Sequence, residues 1–209
     1  MGLTSQYLKY DPVAVFGLVT SGRCPPACIS PRVVATGCVE NVLIWNVITG
    51  ERVALLRGES SPVTFLAARP GGDNHDVAVG YQDGSIALFN VDNGERQVLL
   101  HGHKRAIQTL SWNAAGTRLA SGSLDTDIII WDAVEESGLY RLKGHKEKVN
   151  ALIFLSRPGS EKESFLISAS SDRTIKIWEL ESQHCQATNI HHKVHNVNFN
   201  FEIKTNFLI

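Results

Sequence analysis

Three aspartates, two serines and a tryptophan crowd into SGSLDTDIIIWD at 121–132, with Asp125 and Asp127 one residue apart. Paired carboxylates are raw material for holding a divalent cation or for general acid–base work. A Gly-His pair lies upstream, at Gly102-His103. A serine, a histidine and an aspartate are thus at hand, which is the set a hydrolase uses to activate a hydroxyl. The same set returns one unit later as His145, Ser168 and Asp172, followed by Trp178. Duplication argues against catalysis, because an active site is normally single. The chain also has no G-x-S-x-G elbow, no phosphate loop, no G-x-G-x-x-G and no His-Glu-x-x-His. The serines sit within strand-like segments, where a substrate carbonyl has no approach. The reading is a non-enzymatic protein with no cofactor and no small-molecule substrate.

Other candidate ligands are weaker. Cys24, Cys28 and Cys38 follow no common zinc spacing, and a fourth ligand is not evident. His191, His192 and His195 fall where a further Gly-His turn would begin, so a degenerate turn is expected there. No metal site is predicted.

The elements that must hold these residues come from a repeat. VLIWN (42–46), IALFN (86–90), IIIWD (128–132) and IKIWE (175–179) each carry an aromatic residue after a β-prone run. The aromatics Trp45, Phe89, Trp131 and Trp178 are separated by 44, 42 and 47 residues. The longest interval contains the polar insert SRPGSEKES (156–164), expected as a surface loop. A tight turn bearing Asp83, Asp125 or Asp172 precedes three of the aromatics. Before each such turn runs a small-residue strand, VAVGY, LASGS or LISAS. After the aromatic come TGE, NGE or ESG and another apolar run. Four short strands per unit, without helical periodicity, predict an all-β chain. The continuous run Ile128–Ile130 predicts a central strand buried on both faces.

This pattern of four strands per ~40–45 residues, with Gly-His and Trp-Asp, resembles the WD-repeat β-propeller family. The resemblance spans residues 11 to about 200 and implies units ending near 58, 102, 144 and 190. It also implies a buried polar quartet in the two complete units: His103, Ser121, Asp125 and Trp131, then His145, Ser168, Asp172 and Trp178. The aspartate would anchor the turn and hold the histidine, and the serine would accept from the indole. Either Ser121 or Ser123 can serve. The second unit has Glu59, Val79 and Phe89 at the His, Ser and Trp positions. It loses donor and acceptor together, so nothing is left unpaired. The first unit has Trp45 but no recognisable Asp turn, and both units are expected to be softer.

MGLTSQYLKY, AVFGLV, YQDGSIALFN, LASGSLDTDIIIWD, ESGLYRLKGHK and SQHC are similar to the amino-terminal part of a UTP-B family of the small-subunit processome. That resemblance implies a nucleolar scaffold for pre-rRNA processing and small-subunit assembly. Its partners would be other UTP-B subunits, pre-rRNA and the small nucleolar RNA particle. Members carry two propellers and a helical carboxy-terminal domain. Residues 20–31, short and rich in Cys and Pro, depart from the family.

A seven-bladed ring at this period needs about 300 residues. The expectation for 209 residues is therefore four to four and a half blades of an open, incomplete propeller, from a truncated product, an alternative transcript or an incomplete gene model. A compact four-bladed ring is the other arrangement the general range allows. The tail at 201–209 is hydrophobic and atypical, with an aggregation-prone composition.

Composition narrows the partners. The net charge is −1, from 20 basic and 21 acidic residues, so there is no whole-chain pull toward nucleic acid or anionic lipid. A local patch can act nonetheless: Arg141, Lys143, Lys146 and Lys148 surround one loop and are a candidate contact for RNA phosphate or an acidic partner. No stretch approaches the ~20 apolar residues of a membrane helix, and no targeting motif is seen. Four irregularly spaced cysteines imply reduced thiols. A ubiquitin-ligase substrate receptor is the rival reading. Such receptors usually show Trp-Asp-x-Arg, and the fourth positions here are Ile48, Asp92, Val134 and Glu181.

Overall fold

The computed structural model describes residues 24–58, 61–71, 75–156, 163–182 and 184–190. They form four antiparallel four-stranded sheets, each a simple meander, with no helix among the described residues. The first sheet contains β1 (Ala27–Ser30), β2 (Val33–Cys38), β3 (Asn41–Asn46) and β4 (Arg52–Leu56). The second contains β5 (Val63–Ala68), β6 (Asp76–Tyr81), β7 (Ile86–Asn90) and β8 (Arg96–Leu100). The third contains β9 (Ile107–Trp112), β10 (Arg118–Ser123), β11 (Ile128–Asp132) and β12 (Ser137–Leu142). The fourth contains β13 (Val149–Ser156), β14 (Glu163–Ser170), β15 (Thr174–Glu179) and β16 (His184–Ile190). The last strands end at residues 56, 100, 142 and 190.

Each sheet is a blade, and one local device recurs in all four. The ladder between the third and fourth strands carries a bulge at the aromatic residue, at Trp45, Phe89, Trp131 and Trp178. A bulge adds twist where the strand meets its turn. The residue after the aromatic then caps that turn in three blades. Asn46 Oδ1 accepts from Ile48 N and Thr49 N, Asn90 Oδ1 from Asp92 N and Asn93 N, and Asp132 Oδ1 from Val134 N and Glu135 N, at 2.8–3.2 Å. These are Asx turns, which Asn and Asp form because their short side chains reach backbone N–H groups two and three residues on. Asp132, one of the three aspartates of the opening stretch, is therefore a turn cap.

Blades stack face to face through three apolar cores. Ala35, Val42, Ile44 and Leu56 of the first meet Val77, Val79, Ala87 and Phe89 of the second. Ala78, Ile86, Leu88 and Leu100 on the opposite face of the second meet Ile107, Leu119, Ile129 and Trp131. Ala120, Ile128, Ile130 and Leu142 meet Val149, Leu166 and Trp178. Ile128, Ile129 and Ile130 are thus shared between two cores, and each is at most 5% exposed. This explains their unbroken apolar run. Gly122 lets the faces close, since a Cβ there would lie 2.7 Å from Val149 Cγ1 and 2.9 Å from Thr109 Cγ2. Arg69 ties the second blade to the third. It pairs with buried Asp76 at 2.9 Å, donates to the Gly116 carbonyl at 2.6 Å and lies 5.5 Å over the Trp112 ring.

The array does not close among the described residues: packing runs first to second, second to third and third to fourth. The outer face of the fourth blade records this. Ile167, Ile175 and Ile177 hold the positions of Ala120, Ile128 and Ile130, yet all three are only half-buried. The architecture is a WD-type β-propeller array in an open, incomplete form.

Candidate functional site

The two His–Ser–Asp–Trp sets assemble into near-identical constellations. In the third blade the Trp131 indole N–H donates to Ser121 Oγ at 2.8 Å. Ser121 Oγ lies 2.8 Å from His103 Nε2. His103 Nδ1 lies 3.0 Å from Asp125 Oδ2. In the fourth, Trp178 Nε1–H donates to Ser168 Oγ at 2.8 Å, Ser168 Oγ lies 2.7 Å from His145 Nε2, and His145 Nδ1 lies 2.9 Å from Asp172 Oδ2. Each aspartate also clips two chain segments together. Asp125 accepts from Lys104 N at 2.9 Å and Asp127 N at 3.1 Å; Asp172 accepts from Lys146 N and Thr174 N, each at 2.9 Å. The quartet thus binds the loop entering a blade to the turn between its second and third strands.

The second serine of each SGS or SAS pair has its own task. Ser123 Oγ donates to the Arg105 carbonyl at 2.8 Å and accepts from Asp125 N at 3.1 Å. Ser170 repeats this with the Glu147 carbonyl and Asp172 N. Ser121 and Ser168 are therefore the ones beneath the indoles.

Electrostatics fixes the protonation pattern. Burial pushes His103 and His145 below the ordinary histidine range, and the attraction of Asp125 and Asp172 offsets this only in part. Burial alone would raise the carboxyls. The Lys104 N–H and His103 bring Asp125 below its usual range, and the Thr174 hydroxyl, the Lys146 N–H and His145 do so for Asp172. Each site is a neutral imidazole with Nδ1–H donating to a carboxylate and Nε2 accepting from the serine hydroxyl. The serine hydroxyls are 0% exposed and their lone pairs already face an indole donor. A nucleophile needs a reachable carbonyl, and neither oxygen has one.

The first blade holds a reduced version that the sequence reading missed. Trp45 Nε1–H donates to Thr36 Oγ1 at 3.1 Å. The turn beside it is two residues, Val39-Glu40, and carries no aspartate. In the second blade Val79 and Phe89 are apolar and at most 2% exposed. Asp83 there turns inward on its own loop, accepting from Ser85 N at 2.9 Å and Ser85 Oγ at 2.6 Å. A recess of about 40 Å³, lined by Ser61, Tyr81, Asp83, Ser85, Arg96, Leu99 and His101, opens on this blade. It is far smaller than the ~300 Å³ at which ligand pockets begin. No group of three metal-ligating side chains exists among the described residues. Cys24, Cys28 and Cys38 are free thiols, and His191, His192 and His195 lie outside the described residues, as do Glu59 and the 201–209 tail.

Of the four basic candidates, Arg141 is not free. It pairs with Asp127 at 2.9 Å and donates to the Gly102 carbonyl, a geometry set by the β11–β12 pairing that brings the two charges to one edge. Asp127 is accordingly a salt-bridge partner placed just before β11. Lys143, Lys146 and Lys148 are exposed.

Residues 32–209 match the family model described as the WDR3 first beta-propeller domain. The chain belongs to that family of WD-repeat propellers. Among curated relatives, WD repeat-containing protein 3 of Mus musculus is 42% identical over 96 residues, or 44% of this chain and 10% of the relative. The Homo sapiens protein of the same name is 43% identical over 96 residues, with the same coverage of both chains. U3 small nucleolar RNA-associated protein 12 of Saccharomyces cerevisiae is 33% identical over 211 residues, covering 91% of this chain and 22% of that protein. The chain therefore spans between about a tenth and a fifth of the length of these WDR3-family relatives.

Proposed function

We propose that this chain is a non-enzymatic scaffold module of small-ribosomal-subunit assembly, acting in the nucleolus with other UTP-B subunits and pre-rRNA. The observation that carries the reading is the family match over 32–209, together with a yeast relative that aligns with 91% of the chain and is named for association with U3 small nucleolar RNA. The physical chemistry supports a scaffold. The side chains that could do chemistry are consumed inside blades, where they join loops to turns. What remains for recognition is the rim of loops, which rigid strands hold in place.

The test is affinity purification of the tagged chain from a nucleolar extract. Co-purification of UTP-B subunits and pre-rRNA is expected. Recovery of ubiquitin-ligase adaptors without nucleolar proteins would reject the reading in favour of the receptor alternative.

A further inference from the structure

The loops of the array are segregated by charge. The loops that enter the third and fourth blades lie on the same edge as the turns bearing Asp125 and Asp172, because those carboxylates bond Lys104 N and Lys146 N. On that upper edge Lys104, Arg105, Lys143, Lys146, Lys148 and Arg173 are all exposed, and none is ion-paired among the described residues. The acids nearby are mostly spoken for: Asp125 and Asp172 face histidines, and Asp127 is held by Arg141. Glu147 is the exposed exception. On the opposite edge the turns between third and fourth strands present Glu51, Asp92, Glu95, Glu135, Glu136 and Glu181, all exposed. A chain of net charge −1 has thus sorted its charges into two poles.

We infer that the upper edge of the third and fourth blades is a docking surface for an RNA phosphodiester backbone, read without regard to base sequence. This rests on the assembly role proposed above and deepens it. Three features select RNA over an acidic protein. Four of the six cations are lysines, point charges on flexible stems that suit a repeating phosphate better than the fixed fork demanded by a carboxylate. No aromatic side chain is exposed among the described residues, so the edge offers neither a base-stacking platform nor the aromatic anchors around which protein interfaces concentrate their energy. The cations come from two successive blades, which gives the extended track that a linear polyanion needs and a compact peptide does not.

The measurement is fluorescence anisotropy of a labelled, mixed-sequence, single-stranded RNA 20-mer against the full chain, titrated at several potassium chloride concentrations. The variant Lys143→Gln/Lys146→Gln/Lys148→Gln removes three phosphate contacts. At roughly 0.7 counterions per single-strand contact, it should lower the slope of log K against log salt by about 2 and weaken binding about 100-fold near 0.1 M salt. Lys104→Gln/Arg105→Gln should act in the same direction, and Glu135→Gln/Glu136→Gln on the other edge should leave the slope unchanged. An unchanged slope in both upper-edge variants, with native circular dichroism, overturns the inference. So does tighter binding of poly-glutamate than of RNA, which would give the edge to an acidic protein. A chain that co-purifies with UTP-B while these variants bind RNA normally sinks the inference and spares the assembly role. Loss of RNA binding in the variants, with no co-purification, does the reverse.

Discussion

Replacing Ser121 by alanine would remove one oxygen and orphan two buried groups. The Trp131 indole N–H would lose its acceptor at 2.8 Å, and His103 Nε2 would lose the hydroxyl at 2.8 Å. Ser121 is 0% exposed and Trp131 4%, so water cannot take the place of the hydroxyl without opening the blade. An unsatisfied buried polar group costs about 1–3 kcal/mol, so the substitution should destabilise the chain by about 2–4 kcal/mol. Trp131→Phe removes the indole donor and part of the ring, and should cost about 1–3 kcal/mol, mostly as lost packing. Both changes together resemble the second blade, where Val79 and Phe89 occupy the corresponding positions with nothing left unpaired. The double variant should therefore be less destabilised than the sum of the singles by about 1–2 kcal/mol. Urea denaturation followed by far-UV circular dichroism, with equal m-values across the four proteins, measures the cycle. Additivity to within about 0.5 kcal/mol, the behaviour of independent sites, would refute the network.

Acid should loosen the third and fourth blades. The histidines have folded pKa values below the unfolded value and the aspartates likewise, so in both cases the unfolded chain binds protons first. Stability is then complete above about pH 6.5 and falls as pH drops through the depressed values; urea midpoints at pH 8, 7, 6 and 5 should fall monotonically below neutrality. Gly122→Ala should cost about 1–3 kcal/mol, because the new methyl overpacks against Val149 and Thr109 from the neighbouring strands, and thermal denaturation will show it. Asp76→Ala should cost roughly 3 kcal/mol by stripping a partly buried Arg69 of its counter-ion, read as a shift in urea midpoint. Burial raises the Cys24 thiol to about 11, so iodoacetamide at pH 8 should label exposed Cys28 and Cys185 well before it.

The repeat was legible because each unit marks itself twice, with a turn aspartate and an aromatic at a fixed distance, as at Asp125/Trp131 and Asp172/Trp178. The choice between Ser121 and Ser123 was not. Residues two apart on a strand point to the same face, so only the hydrogen-bond geometry separates the indole acceptor from the loop clip. Thr36 escaped notice because the two-residue turn after Cys38 moves it one place closer to Trp45 than Ser121 is to Trp131. The loop at 141–148 was visible as a run of charge. Its sorting was not, since Arg141 is neutralised by Asp127 across a strand pair and Lys104, Arg105 and Arg173 join the edge from other loops. The half-buried Ile167, Ile175 and Ile177 read in sequence like the fully shared isoleucines at 128–130; what differs is the neighbour.

The claim beneath all of this is that the histidine, serine and aspartate pairs are internal ties and not a reaction centre. Hydrogen exchange of the indole N–H groups, resolved by ¹H–¹⁵N spectra of the full chain, addresses it directly. Trp131 and Trp178 should exchange only through opening of their blades, orders of magnitude more slowly than free indole. Exchange of either at the free-indole rate would place its serine in contact with solvent and contradict the account.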